Sequence, residues 1–570
     1  MPSVTVPGTN GSTITEVYGT PNSARLAQQI SDALGAALSA HSLLVTAAPN
    51  PGFTIPAPTT NPGGIDELVI SAGGVYSIPA ATGGAPDYLV ILNNTAPVTI
   101  FGGPNNTIMG GSGPVTIIDP ATVVVPEGDG NATVILTAAD TGAVVAGNNF
   151  NDTISAAGAN DTIFAGTGNN MLSASGVGDV IIGDSGNNTF NVTGTGDTLA
   201  AGAGQATFQF GANAVGALAF AGLGASTIID AGTGTTIVGG AAATAVTVSG
   251  SGGAIFGEAG SLDVVDSGAN NVVNAAFGAG LFNATVFGAG DTIVSGNATT
   301  NMSLTNTAQN ALIFGVGTGA LNLVDQGSND TIVGSSSPTV NVTDNGSNEL
   351  LFGGSGFLQF VGGSNSATVV GVGGTAGAGS ASITAGTGAL VYADGAGSGS
   401  TTVIGGSGGT TLFGASNGSD ITFSSSTGSA IYVAGSGSET LDASGSSTGN
   451  LLIGTADTAA GASLIKAGTG NDTLEGTGGN ATLTGGSGDN LFLFNKGLVF
   501  GGAPHDIVTD FTAGATNLVL LANYGASEAA GALAGATTVG GNTTITLSDN
   551  TKITFNNTST AQLQGHVFSF

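Results

Sequence analysis

Asp152, Asp161, Asp179 and Asp197 stand in a chain that has almost nothing to neutralise them. Each lies two positions before a large apolar residue. Those apolar residues, Ile154, Ile163, Leu172, Ile181, Phe190, Leu199 and Phe208, fall nine apart, and Asn170 and Asn188 fill the acid's place in two of the units. Asp472 and Asp489 sit in similar Gly- and Asn-rich words further along. Carboxylates beside turn carbonyls offer oxygen ligands only, which suits Ca²⁺, a hard cation that accepts six to eight of them. Where such an acid faces water instead, it serves simply as a good turn residue.

The charge balance sharpens the point. Four Lys and Arg stand against 35 Asp and Glu, a formal charge of −31, and none of the four lies between Arg25 and Lys466. Carboxylates stacked about 5 Å apart repel by roughly 3 kcal/mol at an effective dielectric near 20. Divalent cations are the natural counter-charge. The same balance excludes nucleic acid, which needs a basic footprint, and speaks against anionic membranes.

The acids must be positioned by the beat they belong to. A strand this short cannot bury its apolar face alone, so each unit stacks on copies of itself. Two units per coil place residues 18 apart above one another. Asp161, Asp179 and Asp197 then line one edge, while Asp152, Asn170 and Asn188 line the other. The expected fold is all-β, a parallel β-solenoid or β-roll of nine- to ten-residue half-coils. The beat slackens to ten near Leu218 and returns at Ile228, Ile237, Val246, Ile255, Val264, Val273 and Phe282. Later runs are Val403, Leu412 and Ile421; Ile431, Leu441 and Leu451; and Leu464, Leu474, Leu483 and Phe492. Roughly 20–24 coils at about 4.8 Å each predict a rod on the order of 100 Å long.

Three segments follow from this. Residues 1–65 are an N-terminal arm: an alternating stretch Ser3–Val6, an amphipathic helix over 21–41 carrying Leu26, Ile30, Leu34 and Leu38, and a connector with Pro49, Pro51, Pro56, Pro58 and Pro62. Residues 66–495 are the repeats, and residues 496–570 a β-rich cap and secretion region. Cys is absent, so disulfides are excluded, and no basic leader or bilayer-length apolar run is visible. His41, His505 and His566 have no metal-ligand spacing and read as exposed or cap-packing. No Gly-x-Ser-x-Gly elbow marks a hydrolase.

Gly485-Gly486-Ser487-Gly488-Asp489-Asn490-Leu491-Phe492 resembles the Gly-Gly-x-Gly-x-Asp-x-apolar-x nonapeptide of RTX (repeats-in-toxin) proteins, with Asn490 in place of its Asp. Ala467-Gly468-Thr469-Gly470-Asn471-Asp472-Thr473-Leu474 keeps the Asp, and residues 165–172 are a third relative. Asp506 to Phe511 and the apolar terminus resemble the C-terminal regions of RTX proteins exported by type I secretion. The resemblance implies a calcium-loaded parallel β-roll at the surface of a bacterium or outside it. Many units lack a carboxylate, so partial calcium occupancy is expected, with Asp152, Asp161, Asp179, Asp197, Asp472 and Asp489 as ligands.

The function expected is that of a secreted structural protein, not an enzyme, that polymerises with itself into an extracellular filament or surface layer. The N-terminal strand and helix would dock on a neighbour, with Ser3–Val6 adding to a sheet edge. The alternatives are a monomeric RTX-type adhesin or matrix protein binding cell-surface polysaccharide, and a β-helical polysaccharide-modifying enzyme. Membrane insertion is not expected.

Overall fold

The computed structural model describes residues 3–7, 13–17, 21–40, 43–48, 50–58, 64–79, 88–102, 106–110, 113–118, 122–124, 130–278, 280–334, 337–371, 379–395, 399–414, 421–424, 427–435, 439–454, 462–476, 478–497, 503–512 and 516–570. The chain is an all-β parallel solenoid of about 19 turns, fewer than the 20–24 expected. It divides into two compact units, Met1–Leu281 and Phe282–Phe570.

In the first unit, every coil contributes a strand to each of two faces. Thr162–Phe164, Val180–Ile182 and Thr198–Ala200 pair in parallel on one face, bringing Ile163, Ile181 and Leu199 into register. Thr153–Ala156, Met171–Ala174, Asn188–Val192 and Ala206–Phe210 pair on the other, stacking Ile154, Leu172, Phe190 and Phe208. All seven are at most 1% exposed. The eighteen-residue register is therefore real, and each apolar residue lies on its own equivalent. Phe190 and Phe208 stack with ring centroids 4.5 Å apart.

Corners join the faces. The penultimate corner residue has positive φ in coil after coil: Gly142, Asn160, Gly178, Gly196, Gly216, Gly234, Gly252 and Asn270. Only Gly and Asn adopt that conformation readily, which explains why these two types alternate there. Closer inspection corrects the beat at Leu218. The corner between Ala206–Phe210 and Leu218–Phe220 is longer than its equivalents, Ala219 pairs with Leu199, and Leu218 lies half-buried.

The N-terminal segment is folded onto this unit. Strands β1 (Ser3–Pro7) and β2 (Thr13–Val17) form an antiparallel hairpin. Helix α1 spans Pro21–Ser39, and His41 lies outside the described residues. Val4, Ile14, Ala24, Ala27 and Leu34 form one cluster with Val69, Leu89, Ile91, Met109 and Ala146 from the sheet. The buried stripe of α1 thus runs through Ala24, Ala27, Leu34 and Ala37, while Leu38 is 54% exposed. Ser3–Val6 is not a free arm, because its strand is paired and its Val4 is buried. Covering the sheet from outside buries both faces of Ile65–Ile70, taking in Asp66 and Glu67 as well as Leu68, Val69 and Ile70. The parallel ladder begins earlier still, where Leu43–Ala48 pairs with Ile65–Ile70.

The second unit repeats the scheme. Tyr392, Val403, Leu412, Phe423, Tyr432, Leu441, Leu452, Ile465, Leu474, Leu483 and Phe492 fill its interior. Ile431, Leu451 and Leu464, expected inside, point outward at 36–44% exposure, with Tyr432, Leu452 and Ile465 inward instead. Their strands carry neighbouring apolar residues, so either phase of the alternation looks plausible until a rung is paired. Past residue 496 the ladders continue, with His505–Val508 on Asn480–Thr484 and Leu518–Ala522 on Leu491–Asn495. Antiparallel strands Thr537–Val539, Asn542–Thr546 and Lys552–Phe555 follow. Asp510 accepts the Gly485 and Gly486 amides, both at 2.8 Å, and Phe511 packs against Phe492, Phe555 and His566.

Candidate metal centre

The column Asp161–Asp179–Asp197 is built from the corner that ends in the positive-φ residue. Each aspartate follows that residue and turns inward, and all three are fully buried. They do not face water as turn-forming surface residues would. Ala143 N donates to Asp161 Oδ1 at 2.9 Å, Asp161 N to Asp179 Oδ1 at 3.0 Å, and Asp179 N to Asp197 Oδ1 at 3.0 Å. One oxygen of every carboxylate is thus spent on the coil before it. The other, Oδ2, is buried without a hydrogen-bond partner in all three.

Those open oxygens face glycines. A Cβ built on Gly158 would overlap the Asp140 carbonyl and come within 3.0 Å of Asp161 Oδ2. At Gly176 it would overlap the Gly158 carbonyl and stand 3.0 Å from Asp179 Oδ2, and Gly194 meets Gly176 O and Asp197 Oδ2 in the same way. Carboxylate and carbonyl oxygens therefore converge on the space that glycine leaves. Burial pushes the Asp161 and Asp197 carboxyls up to about 6, backbone amides oppose the rise, and the neighbouring Asp179 adds to it. Burial likewise raises Asp179. A buried anion lacking a partner is costly, so it takes up a proton or a cation. The donor set fits Ca²⁺.

The opposite edge behaves differently. Asp152 N donates to Asn170 Oδ1 at 2.8 Å and Asn170 N to Asn188 Oδ1 at 3.2 Å, the expected column. Both Asp152 oxygens accept backbone amides, from Ala132 at 2.8 Å and Asn148 at 3.1 Å. Burial still pushes its carboxyl up to about 6. Asn170 Nδ2 donates to the Gly168 carbonyl at 3.0 Å, and Asn188 Nδ2 to Gly186 O at 3.1 Å. The amide N–H here supplies positive charge to the turn carbonyls, the task that a cation would otherwise perform.

Asp472 belongs to that second type of corner. Its Oδ1 accepts Asn450 N and Nδ2, at 2.7 and 2.8 Å, and its N donates to Asn490 Oδ1 at 3.0 Å. Its Oδ2 is buried and open, and burial raises its pKa. Asp489 is not brought together with it. The register sets Asp489 over Asn471, and Asp489 is exposed, accepting Thr516 N at 3.0 Å. Asn490 holds the inward position.

The RTX calcium-binding nonapeptide repeat matches residues 140–172 and 458–497, in four copies. The first segment holds Asp152 and Asp161, and the second holds Asp472 and Asp489. The chain fits an RTX β-roll protein. Nonapeptides of this kind are calcium-binding motifs, which supports Ca²⁺ as the ion. RTX repeats on a β-solenoid suggest a structural or adhesin-like protein, and RTX β-rolls are typically non-enzymatic. RTX repeat proteins are typically secreted. Among the described residues no helix is long and apolar enough to cross a membrane. No curated protein and no solved structure matches the chain.

Three further buried acids lie outside the six ligands named from the repeats, although Asp330 on its own is a weaker sequence candidate. Asp325, Asp330 and Glu349 bring carboxylate oxygens within 4.8 Å of one another. The sequence signal for them is a repeated spacing, Asp-x-Gly-x-x-acid, at Asp325–Asp330 and again at Asp344–Glu349. Of the histidines, His505 Nε2 lies 2.8 Å from Thr554 Oγ1 and His566 Nδ1 lies 2.9 Å from Asn517 O, so both serve the cap.

Proposed function

We propose that this chain is an extracellular structural protein of a bacterium, whose solenoid is completed by Ca²⁺ outside the cell and then polymerises with further copies into a filament or surface layer. The observation that carries the reading is the column of buried, half-partnered carboxylates running from coil to coil in the first unit. Such a column is unstable as a metal-free anion and becomes an asset where calcium is plentiful. Export by type I secretion accords with this order of events, since the chain would leave the cell before its acids are filled.

Two features support assembly over a solitary role. Among the described residues, Leu43–Ala48 is paired along one edge, with Ile65–Ile70, and Val567–Ser569 along one edge, with Leu518–Ala522. Strand addition at such terminal strands is the route by which another copy would continue the ladder. The site acids, by contrast, each spend one oxygen on the coil before their own, an arrangement for holding coils together.

Negative-stain electron microscopy of the purified chain across a concentration series, in Ca²⁺ and in EDTA, tests this. Ordered polymers that form with calcium and dissolve on chelation are expected. Single particles at every concentration with calcium would overturn assembly and favour the adhesin-like alternative, which a cell-surface polysaccharide binding assay would then examine.

A further inference from the structure

We propose that Asp325, Asp330 and Glu349 form a Ca²⁺ site of a second kind, outside both nonapeptide segments, in which acids from the two ends of one corner and from the next coil share the ion. This inference does not depend on polymerisation.

The corner supplies its own standard of comparison. In the first unit, Asp230 and Asp266 end the strands Ser226–Asp230 and Leu262–Asp266, and each accepts the amide two residues on, from Gly232 at 2.8 Å and Gly268 at 2.9 Å. The residue five positions after each then supplies a neutral donor. Thr235 Oγ1 donates to Asp230 Oδ1 at 3.3 Å, and Asn271 Nδ2 donates to Asp266 Oδ1 at 2.9 Å. The pattern Asp-x-Gly-x-x-donor gives Oδ1 two donors from within one corner, and it leaves a single open oxygen, Asp266 Oδ2, at the second of these corners.

Asp325 begins the same corner, with Gly327 N donating to its Oδ1 at 2.8 Å, but the residue five positions on is Asp330. One coil later Asp344 pairs in register with Asp325, and Gly346 N donates to its Oδ1 at 2.8 Å. Its fifth residue is Glu349. Acids therefore occupy the two places where the first unit has a hydroxyl and an amide.

Backbone amides reach one oxygen of each of the three acids. Ala311 N donates to Asp330 Oδ1 at 2.6 Å, and Asp330 N to Glu349 Oε2 at 2.8 Å. The remaining oxygens, Asp325 Oδ2, Asp330 Oδ2 and Glu349 Oε1, are buried with no hydrogen-bond partner, on residues at most 3% exposed. They point into space that glycine keeps open: a Cβ on Gly327 would overlap Asp330 Oδ2, and one on Gly346 would lie 2.7 Å from Glu349 Oε1. The group is bounded by apolar or small residues in both directions. Leu304 and Gly362 flank the Asp325–Asp344 column, and Ala367 follows Glu349. No Lys or Arg lies between Arg25 and Lys466 to serve as counter-ion.

The span of the group fits the ion. One carboxylate oxygen from each residue lies within 4.8 Å of the others, so all three can reach a single Ca²⁺ at Ca–O bonds of about 2.4 Å. Asp344 adds a further negative charge beside Asp325.

The test uses the full chain, stripped of metal and titrated with CaCl₂ at pH 7.5 by calorimetry. Asp330→Asn recreates the Asp266–Asn271 corner that this fold already contains, so the variant is expected to fold. It should bind one Ca²⁺ fewer than the unaltered chain, melt at a higher temperature in EDTA, and gain less from added calcium. Unchanged stoichiometry in D330N would overturn the site. Anomalous diffraction from crystals of the unaltered chain grown with Ca²⁺ gives an independent reading. A peak among the three open oxygens is expected, and three protonated carboxyls with no peak would equally refute the assignment.

Discussion

At the scale of single residues, Asp in place of Asn at an inward corner position leaves an oxygen open unless backbone amides reach both, as they do at Asp152. Asn170 carries its own donor to the Gly168 carbonyl, whereas Asp161, Asp179 and Asp472 leave an oxygen open. Replacing Asn170 with Asp removes that donor and adds a buried charge. Asn170→Asp should therefore cost about 1–3 kcal/mol in EDTA and recover most of it in Ca²⁺, read from chemical unfolding in both media. Equal losses in the two media would show that the amide only packs. This distinction is legible in sequence once the inward position is known. Asp489 shows what happens when it is not: it stands one residue before the inward Asn490, and composition alone does not separate the two.

At the scale of the coil, the corners are set by close backbone approach. Gly176 lies against the Gly158 carbonyl of the coil before it, and a Cβ there has no room. Gly176→Ala must push two coils apart, at a cost of roughly 1–3 kcal/mol from strain of this kind. A lower melting temperature by circular dichroism, with calcium failing to restore it, is expected. A melt indistinguishable from the parent would mean the coils separate freely. The nine-residue beat made the strands legible because it runs unbroken from Ile154 to Phe208, so Ile154, Phe190 and Phe208, which lack apolar neighbours, set the phase for Ile163, Leu172 and Ile181, which have them. At Ile431, Leu451 and Leu464 two apolar neighbours compete, and pairing with Leu412, Tyr432 and Leu441-bearing rungs sends Tyr432, Leu452 and Ile465 inward instead. The helix stripe shifted for a similar reason: small Ala24, Ala27 and Ala37 let α1 lie close to the sheet, which left Leu38 outside.

At the scale of the molecule, many buried carboxyls share one bias. Burial pushes Asp152, Asp161, Asp197 and Asp344 up to about 6, Glu67 and Asp325 to about 7, and Glu349, aided by neighbouring acids, to about 9. Folded values above the unfolded ones mean that the native state holds these protons more tightly. Their contribution is complete below about pH 4 and is lost as pH rises through 6 to 7 and beyond. In EDTA the melting temperature should thus fall between pH 5 and pH 8. Calcium, which replaces protons on the site acids, should abolish most of that fall. A flat profile in EDTA would mean that the acids are already compensated without metal.

The repeat, the parallel coils, the eighteen-residue columns and the calcium chemistry were fixed by sequence alone, because a periodic chain that is short of large side chains and of cations has few ways to bury its apolar beat. Tertiary structure decided which of two adjacent apolar residues faces inward, that the N-terminal hairpin and helix cover their own sheet, and that Asp330 and Glu349 meet Asp325. Those outcomes depend on the exact phase of each corner. A single residue more or less in a corner changes which side chains reach the interior, and local composition does not count corner residues.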